Sequence, residues 1–432
     1  MQEILDRSSP PRGGILNKIP LPTYEIHTLS NGISVYLLPF GSVEVVEVQA
    51  IFRAGKVFQP EIGVASYAAS NMREGTASYS SLQLAQLLDG YGAWLNHSVG
   101  EEDLAFKLAT VSKHLSATLP LLKEVIMTPT FPKDEFAKMK ARALQKMSVN
   151  EEKTSYLAGR NFKHQMYGTA HPYGMHLGRA ELTDLSLDQL VAYHEQYLQP
   201  GNFCLTVVGN YDKEKILTLL EQTFGTLSSG QENLQNSPAG SIPIHTEFGT
   251  SYLLKAGMQA SLRLGHPGIK RKHPDFDRML VVNTLLGGFF GSRLMKNIRE
   301  AKGYTYGIYS GWISMKQAGH FVVQSEVGNE YIHPTIQEIK LEMRKLMEEG
   351  ATEEELQLVK NYLLGRSVSQ RETLFQIGDI LRFSIVNEIS FDEIDRKFDI
   401  IQHMQPHEVG ELASKYFKPD KMVEVIVGEL SS

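Results

Sequence analysis

The chain has 432 residues, 42% hydrophobic and 21% charged, with a formal net charge of -6. This is an ordinary globular composition, with room for two or three domains and large cores. The acidic balance and the lack of a long basic run exclude a nucleic-acid footprint, and the most apolar stretch, "MLVVNTLLGGFFG", is too short and too interrupted to cross a membrane.

The opening "MQEILDRSSPPRGGILNKIPLP" has no apolar stretch behind a basic start, and residues 1–22 read as a tail. Cys204 is the only cysteine, so no intrachain disulfide forms, and a cytoplasmic, reducing location is expected. "ISVYLLP" and "VEVVEVQAIFRAG" read as strands. Residues 63–76, "GVASYAASNMREGT", read as a short helix: Val64, Tyr67 and Ala68 recur at helical spacing and Gly75 stands where a helix stops. The face with Ser66, Ala69 and Ser70 is unusually small. Helical patterns follow at "SLQLAQLLDGYG", "LSATLPLLKEVIM" and "DEFAKMKARALQKMSVN", and "YGAWLNHSVGEEDLAFKLATV" alternates like strands. "FCLTVVG" is an apolar strand in which Cys204 reads as a buried structural thiol.

Residues 227–246 are rich in Ser, Gly, Asn, Gln and Pro and read as a linker between a domain at 23–226 and another at 247–432. The two halves look duplicated. "PKDEFAKMKARALQKM" matches "TEEELQLVKNYLLGRS", and "FCLTVVGNYD" matches "MVEVIVGELS", about 210–220 residues apart. Strands with helices grouped against them argue α+β, two homologous α/β sandwich domains.

The most informative stretch of the second half is "GGFFGSRLMKNIREAKGYTYGIYSG". A glycine turn leads into a helix starting near Ser292, with Ser292 as N-cap, Leu294 and Ile298 as packing face, and Lys302 and Gly303 as its end. A strand follows in which alternation puts Tyr304 and Tyr306 on one face. Arg299 and Tyr306 thus meet across a helix–strand corner, where guanidinium and hydroxyl both donate to a peptide carbonyl. Arg299 also has Glu300 and Glu355 as competing partners, and Tyr306 can simply pack.

Other chemistry is absent. There is no GxSxG, SxxK or P-loop, and Ser66 and Ser70 have no histidine nearby in sequence. His403 and His407 are four apart, but Pro406 between them favours a loop entering a helix, and "HPYGMH", residues 171–176, reads as a turn. No metal site is assigned to this chain.

From "TLSNGISVYLLP" to "KPDKMVEVIVGE" the chain resembles the insulinase/pitrilysin family of zinc metallopeptidases, which includes mitochondrial processing peptidase. "GVASYAASNMREGT" lines up without a gap on the family pattern G-[IL]-A-H-F-L-E-H-M-x-F-x-G-T. "GSRLMKNIREAKGYTYGIYS" resembles the block S-R-L-[FM]-x-x-[IV]-R-E-x-x-G-L-A-Y-x-x-x-[SA]. The resemblance implies that Ser66, Ala69 and Ser70 stand where the family has its first zinc histidine, its general-base glutamate and its second zinc histidine. The third ligand, a glutamate, falls in residues 136–150, "FAKMKARALQKMSVN", which contain no acid.

Arg299 and Tyr306 fall on the family's substrate-binding Arg and Tyr, and Asn96, in "GAWLNHS", falls on the edge strand to which substrate adds. In some bacterial members the zinc motif and the Arg/Tyr pair lie on two chains that form a heterodimeric clamshell. This chain resembles the half that carries Arg and Tyr. The expectation is a subunit with no cofactor of its own, inactive alone, paired with a homologous zinc-bearing subunit that cleaves peptides or small unfolded proteins. The short "GGFFGS" turn argues against presequence processing. The rival expectation is a structural or assembly subunit without any part in proteolysis.

Overall fold

A computed structural model describes residues 17–228 and 238–429. Residues 1–16 of the expected tail and 229–237 of the expected linker lie outside the described residues. The first half runs β1 (Glu25–Thr28), β2 (Ser34–Pro39), β3 (Val45–Phe52), α1 (Val64–Asn71), α2 (Ser81–Gly90), β4 (Trp94–Val99), β5 (Leu104–Val111), α3 (Leu115–Met127), α4 (Lys133–Glu151), α5 (Thr154–Tyr167), α6 (Arg179–Asp184), α7 (Leu187–Tyr197), β6 (Phe203–Gly209) and α8 (Lys213–Leu220). The second runs β7 (Gly249–Leu254), β8 (Gln259–Gly268), α9 (Phe276–Asn283), β9 (Thr305–Ser314), β10 (Gly319–Gly328), α10 (Ile332–Glu349), α11 (Glu353–Ser369), α12 (Leu374–Asn387), α13 (Phe391–His403), α14 (Pro406–Tyr416) and β11 (Val423–Gly428).

The fold is α+β, and the duplication is visible in the sheets. The first has the order β1-β2-β6-β3-β5-β4, the second β7-β11-β8-β10-β9. Apart from β1 the pattern repeats: β2 pairs parallel to β6 as β7 does to β11, and every following pair is antiparallel. β4 and β9 are therefore equivalent edge strands.

Strand alternation sorts the residues of each sheet between two covered faces. On β3, Val46, Val48, Ala50 and Phe52 enter the core under α1, α3 and α7, while Glu47 and Gln49 point the other way. The cover on that second face comes from the opposite half. α12 brings Ile377 and Leu381 against Leu38 and Val208 of the first sheet, and Arg382 pairs with Asp103. Reciprocally, α5 brings Leu157, Ala158 and Phe162 against Val423, Val425 and Val427 of β11. Each such Leu, Ile, Val or Phe side chain contributes about 1.5–3 kcal/mol by burial. The exchanged helices thus hold the halves together, and the described end of the connecting segment adds to them, Thr246 Oγ1 donating to the Met166 carbonyl at 2.9 Å.

Local signals explain several helix starts. Ser186 caps α7 and Thr352 caps α11, with Gln189 and Glu355 closing the reciprocal capping boxes. His403 ends α13 and Pro406 begins α14, as the proline requires. No helix among the described residues is long and apolar enough to cross a membrane.

Candidate functional site

Two places carry the residues singled out by the sequence. The first is α1 with its neighbour β4. Gly63 enters α1 at φ 98°, in the left-handed region, and its N–H donates to Gln59 Oε1 at 3.0 Å. Ala69 is fully buried and Ser66 and Ser70 are half-buried. The Ser70 hydroxyl donates to the Ser66 carbonyl at 2.8 Å, and Ser70 Oγ lies 3.2 Å from His97 Nε2.

His97 was out of sight from residues 63–76 alone. Alternation on β4 places Leu95 and His97 toward α1, while Trp94 stacks on Phe375 of α12 on the other face. Asn96 shares the Trp94 face, exposed, opposite Lys107 of β5. Structure thus separates Asn96 from the α1 serines and brings His97 to them instead. With the one Ser70 proton on the Ser66 carbonyl, Ser70 Oγ accepts from His97 Nε2–H. Burial, with the nearby Arg73 cation, pushes His97 down to about 4, so the imidazole is neutral at neutral pH.

The second place is the corner between residues 284–301 and β9. The helix begins as expected, with Lys296 N–H donating to the Ser292 carbonyl at 3.0 Å. Its cap differs from expectation: the buried Ser292 hydroxyl has no hydrogen-bond partner among the described residues. Residues Met295–Ala301 then wind as a π-helix, a wider turn common at functional sites. Gly303 closes it at φ 68°.

Glu355 belongs to a different arginine than the sequence suggested. Arg293 Nε and Nη2 donate to Glu355 at 2.9 and 2.8 Å, and Nη2 also donates to the Gly350 carbonyl at 2.8 Å. This ties the start of the helix to α11 and holds the Glu355 carboxyl below the ordinary carboxylate range. Arg299 is left with an aromatic contact, its guanidinium carbon 4.6 Å from the centre of the exposed Phe290 ring. Among the described residues it has no carboxylate partner.

Tyr306 departs from simple alternation. Ile308 pairs with Ser325 but Thr305 pairs with Val327, so three steps on β9 match two on β10. This β-bulge turns Tyr306 outward, 90% exposed, while Tyr304 lies outside the strand, stacked on Tyr331 with ring centres 4.6 Å apart. Hydroxyls pin the bulge. Thr305 Oγ1 donates to the Glu326 carbonyl at 2.6 Å and accepts from Gly307 N–H at 3.1 Å, and Ser325 Oγ donates to the Gly307 carbonyl at 3.0 Å. Arg299 and Tyr306 are thus presented from adjoining elements, with no hydrogen bond between them among the described residues.

Residues 42–178 match the family described as insulinase (peptidase family M16), and residues 184–363 match the peptidase M16 inactive domain. The chain belongs to the M16 peptidase family. Among relatives of this M16 protein, an uncharacterized zinc protease of Rickettsia felis is 23% identical over 91% of this chain and 95% of its own length. A protein of Helicobacter pylori named non-peptidase homolog YmxG is 26% identical over 78% of this chain and 77% of its own. The fold is similar to that of a peptidase M16 inactive domain from Pseudomonas fluorescens, with TM-score 0.85, 24% identity and coverage of 95% of this chain and 99% of that one.

Zinc does not fit the α1 site of this M16 chain. Two neutral hydroxyls, Ser66 and Ser70, are poor zinc ligands, and Ala69 between them offers only a methyl group where a base would be needed. From α4, Phe136 and Met147 go into the core. Among the described residues no three His, Cys, Asp or Glu side chains gather to hold a metal. The chain thus has an M16 fold whose α1 lacks zinc-binding side chains and whose β9 corner carries an exposed Tyr306 and a half-buried Arg299.

Proposed function

We propose that this chain is the non-catalytic subunit of a heterodimeric zinc endopeptidase. A homologous subunit with an intact zinc motif supplies metal and base. Arg299 and Tyr306 enter that site in trans, donate hydrogen bonds to the peptide backbone and carbonyl, and help to hold charge as it develops. Asn96, exposed on the edge strand β4, contacts an added substrate strand. The substrate is a peptide or a small unfolded protein.

One observation carries the reading: the catalytic positions of α1 hold no metal-binding chemistry, while a pinned bulge presents Tyr306 at 90% exposure beside an arginine with no carboxylate partner. The competing reading is an assembly subunit with no part in proteolysis, and the name of the Helicobacter pylori relative, non-peptidase homolog, is compatible with both.

The test mixes a purified zinc-bearing M16 partner with the wild-type chain or with Arg299→Ala and follows cleavage of a quenched fluorescent peptide. Wild type is expected to activate cleavage, and Arg299→Ala to reduce it by about 10²-fold or more. Equal rates for wild type and Arg299→Ala remove the assigned role, and absence of cleavage with every such partner supports the assembly reading.

A further inference from the structure

The two halves differ at one edge. In the first sheet β1 covers the outer side of β2, antiparallel, from Glu25 opposite Leu37 to Thr28 opposite Ser34. β7 holds the place of β2 in the second sheet, and among the described residues no strand pairs with its outer side. The repeated fold therefore accepts an antiparallel strand at a position that β7 leaves open.

The backbone of β7 is set for such a strand. Gly249 N–H donates to the Met422 carbonyl at 2.9 Å and Lys255 N–H to the Gly428 carbonyl at 3.1 Å, so odd-numbered residues face β11. By the period of two, Thr250, Tyr252 and Leu254 turn their N–H and C=O groups outward. Their side chains share one face, where Tyr252 is 45% and Leu254 70% exposed, with Met258 beyond the strand at 91%. The strand sequence "GTSYLL" holds no charge and no proline, the devices that normally blunt a free edge.

We propose that this edge is a homodimer interface, where β7 pairs antiparallel with β7 of a second copy of this chain. Pairing centred on Tyr252 sets Thr250 opposite the partner subunit's Leu254 and makes about six backbone hydrogen bonds. It joins the two five-stranded sheets into one. Charge fits the same direction: Glu247 precedes the strand and Lys255 follows it, so each Glu247 lies diagonal to the partner subunit's Lys255, two residues along, within reach of long side chains. Lys255 already lies 2.6 Å from Glu152 of its own chain, and the second carboxylate balances the cation further. β7 lies at the opposite edge from β9, four strand spacings or roughly 19 Å away, so Arg299 and Tyr306 stay free. The inference is independent of the proposed function.

The test is the mass of the purified full chain by light scattering, with engineered cross-linking. Wild type is expected at twice 48.4 kDa. Tyr252→Pro removes an outward N–H without touching the bonds to β11, and is expected to raise the dimer dissociation constant at least about tenfold with unchanged far-UV circular dichroism. Tyr252→Cys faces its own copy across the axis, about 5.5 Å away between Cα atoms, and is expected to form a covalent dimer under mild oxidation, whereas Leu254→Cys does not. A monomeric wild type overturns the proposal and leaves the edge to some other strand. A wild-type dimer indifferent to Tyr252→Pro, or cross-linking no better at Tyr252→Cys than at Leu254→Cys, overturns it as well.

Discussion

Glu47 makes the contact between the halves sensitive to pH. Its side chain lies on the face of β3 that α12 covers, 4% exposed, with Oε1 2.5 Å from Gln49 Nε2. Gly378 of α12 lies so close that a Cβ there would come within 2.3 Å of Glu47 Oε1. Burial pushes the carboxyl up from an ordinary 4.5 to about 7, against the pull of Lys107, Gln49 and Arg382, while Asp379 adds to the rise. Between those two values the folded chain keeps a proton that the unfolded chain releases. Stability from this group is therefore lost as pH rises through the window and levels off above about 7. At about 1.4 kcal/mol per pH unit, the whole window is worth about 3 kcal/mol. Glu47→Gln keeps the shape and removes the titration. The variant is expected to exceed wild type by about 3 kcal/mol at pH 8 and to lie near it at pH 4.5, read from urea unfolding midpoints with unchanged slopes. A difference between variant and wild type that is the same at both pH values refutes the reasoning.

Three further outcomes are expected. Arg293→Ala removes the guanidinium bonds to Glu355 and the Gly350 carbonyl, leaves Glu355 with the Thr352 N–H, and costs about 2 kcal/mol by chemical denaturation. Because Arg293 holds the Glu355 carboxyl low, its contribution is present at neutral pH and lost as pH falls through the lowered value, so the deficit of the variant narrows in acid. Thr305→Val removes the hydroxyl that bonds Glu326 and Gly307, and is expected to cost about 1–2 kcal/mol and to lower partner-dependent peptide cleavage with Arg299 intact. His97, held near 4, is expected to show no imidazole titration between pH 5 and 8 in nitrogen-resolved NMR, whereas an ordinary histidine titrates within that range.

Much of this was legible in the sequence because the signals are local or repeated. Alternation in "VEVVEVQAIFRAG" marks β3, and the paired motifs of the two halves correspond to two sheets of the same order. That Ser66, Ala69 and Ser70 are poorly suited to zinc needs only their identities, since no fold supplies an imidazole or a carboxylate that the side chain lacks. Alternation also identified the strand after Gly303, but it placed Tyr304 and Tyr306 together. A single extra residue in β9 breaks the period of two and turns Tyr306 to solvent. Hydrogen bonds to Ser325 and Glu326 hold that bulge, twenty residues along the chain, where no local pattern reaches.

Residue types and their periods determined the α+β class and the duplication, and the resemblance to the family pattern aligned Ser66, Ala69 and Ser70 with its zinc motif. Only the tertiary structure decided which partners complete them. It set His97 against Ser70, gave Glu355 to Arg293, laid Arg299 on Phe290, and exchanged α5 and α12 between the sheets. The physical reason is range. Period and propensity act within a few residues of the chain, whereas a hydrogen bond or a buried face is satisfied by whatever surface the fold brings within contact distance.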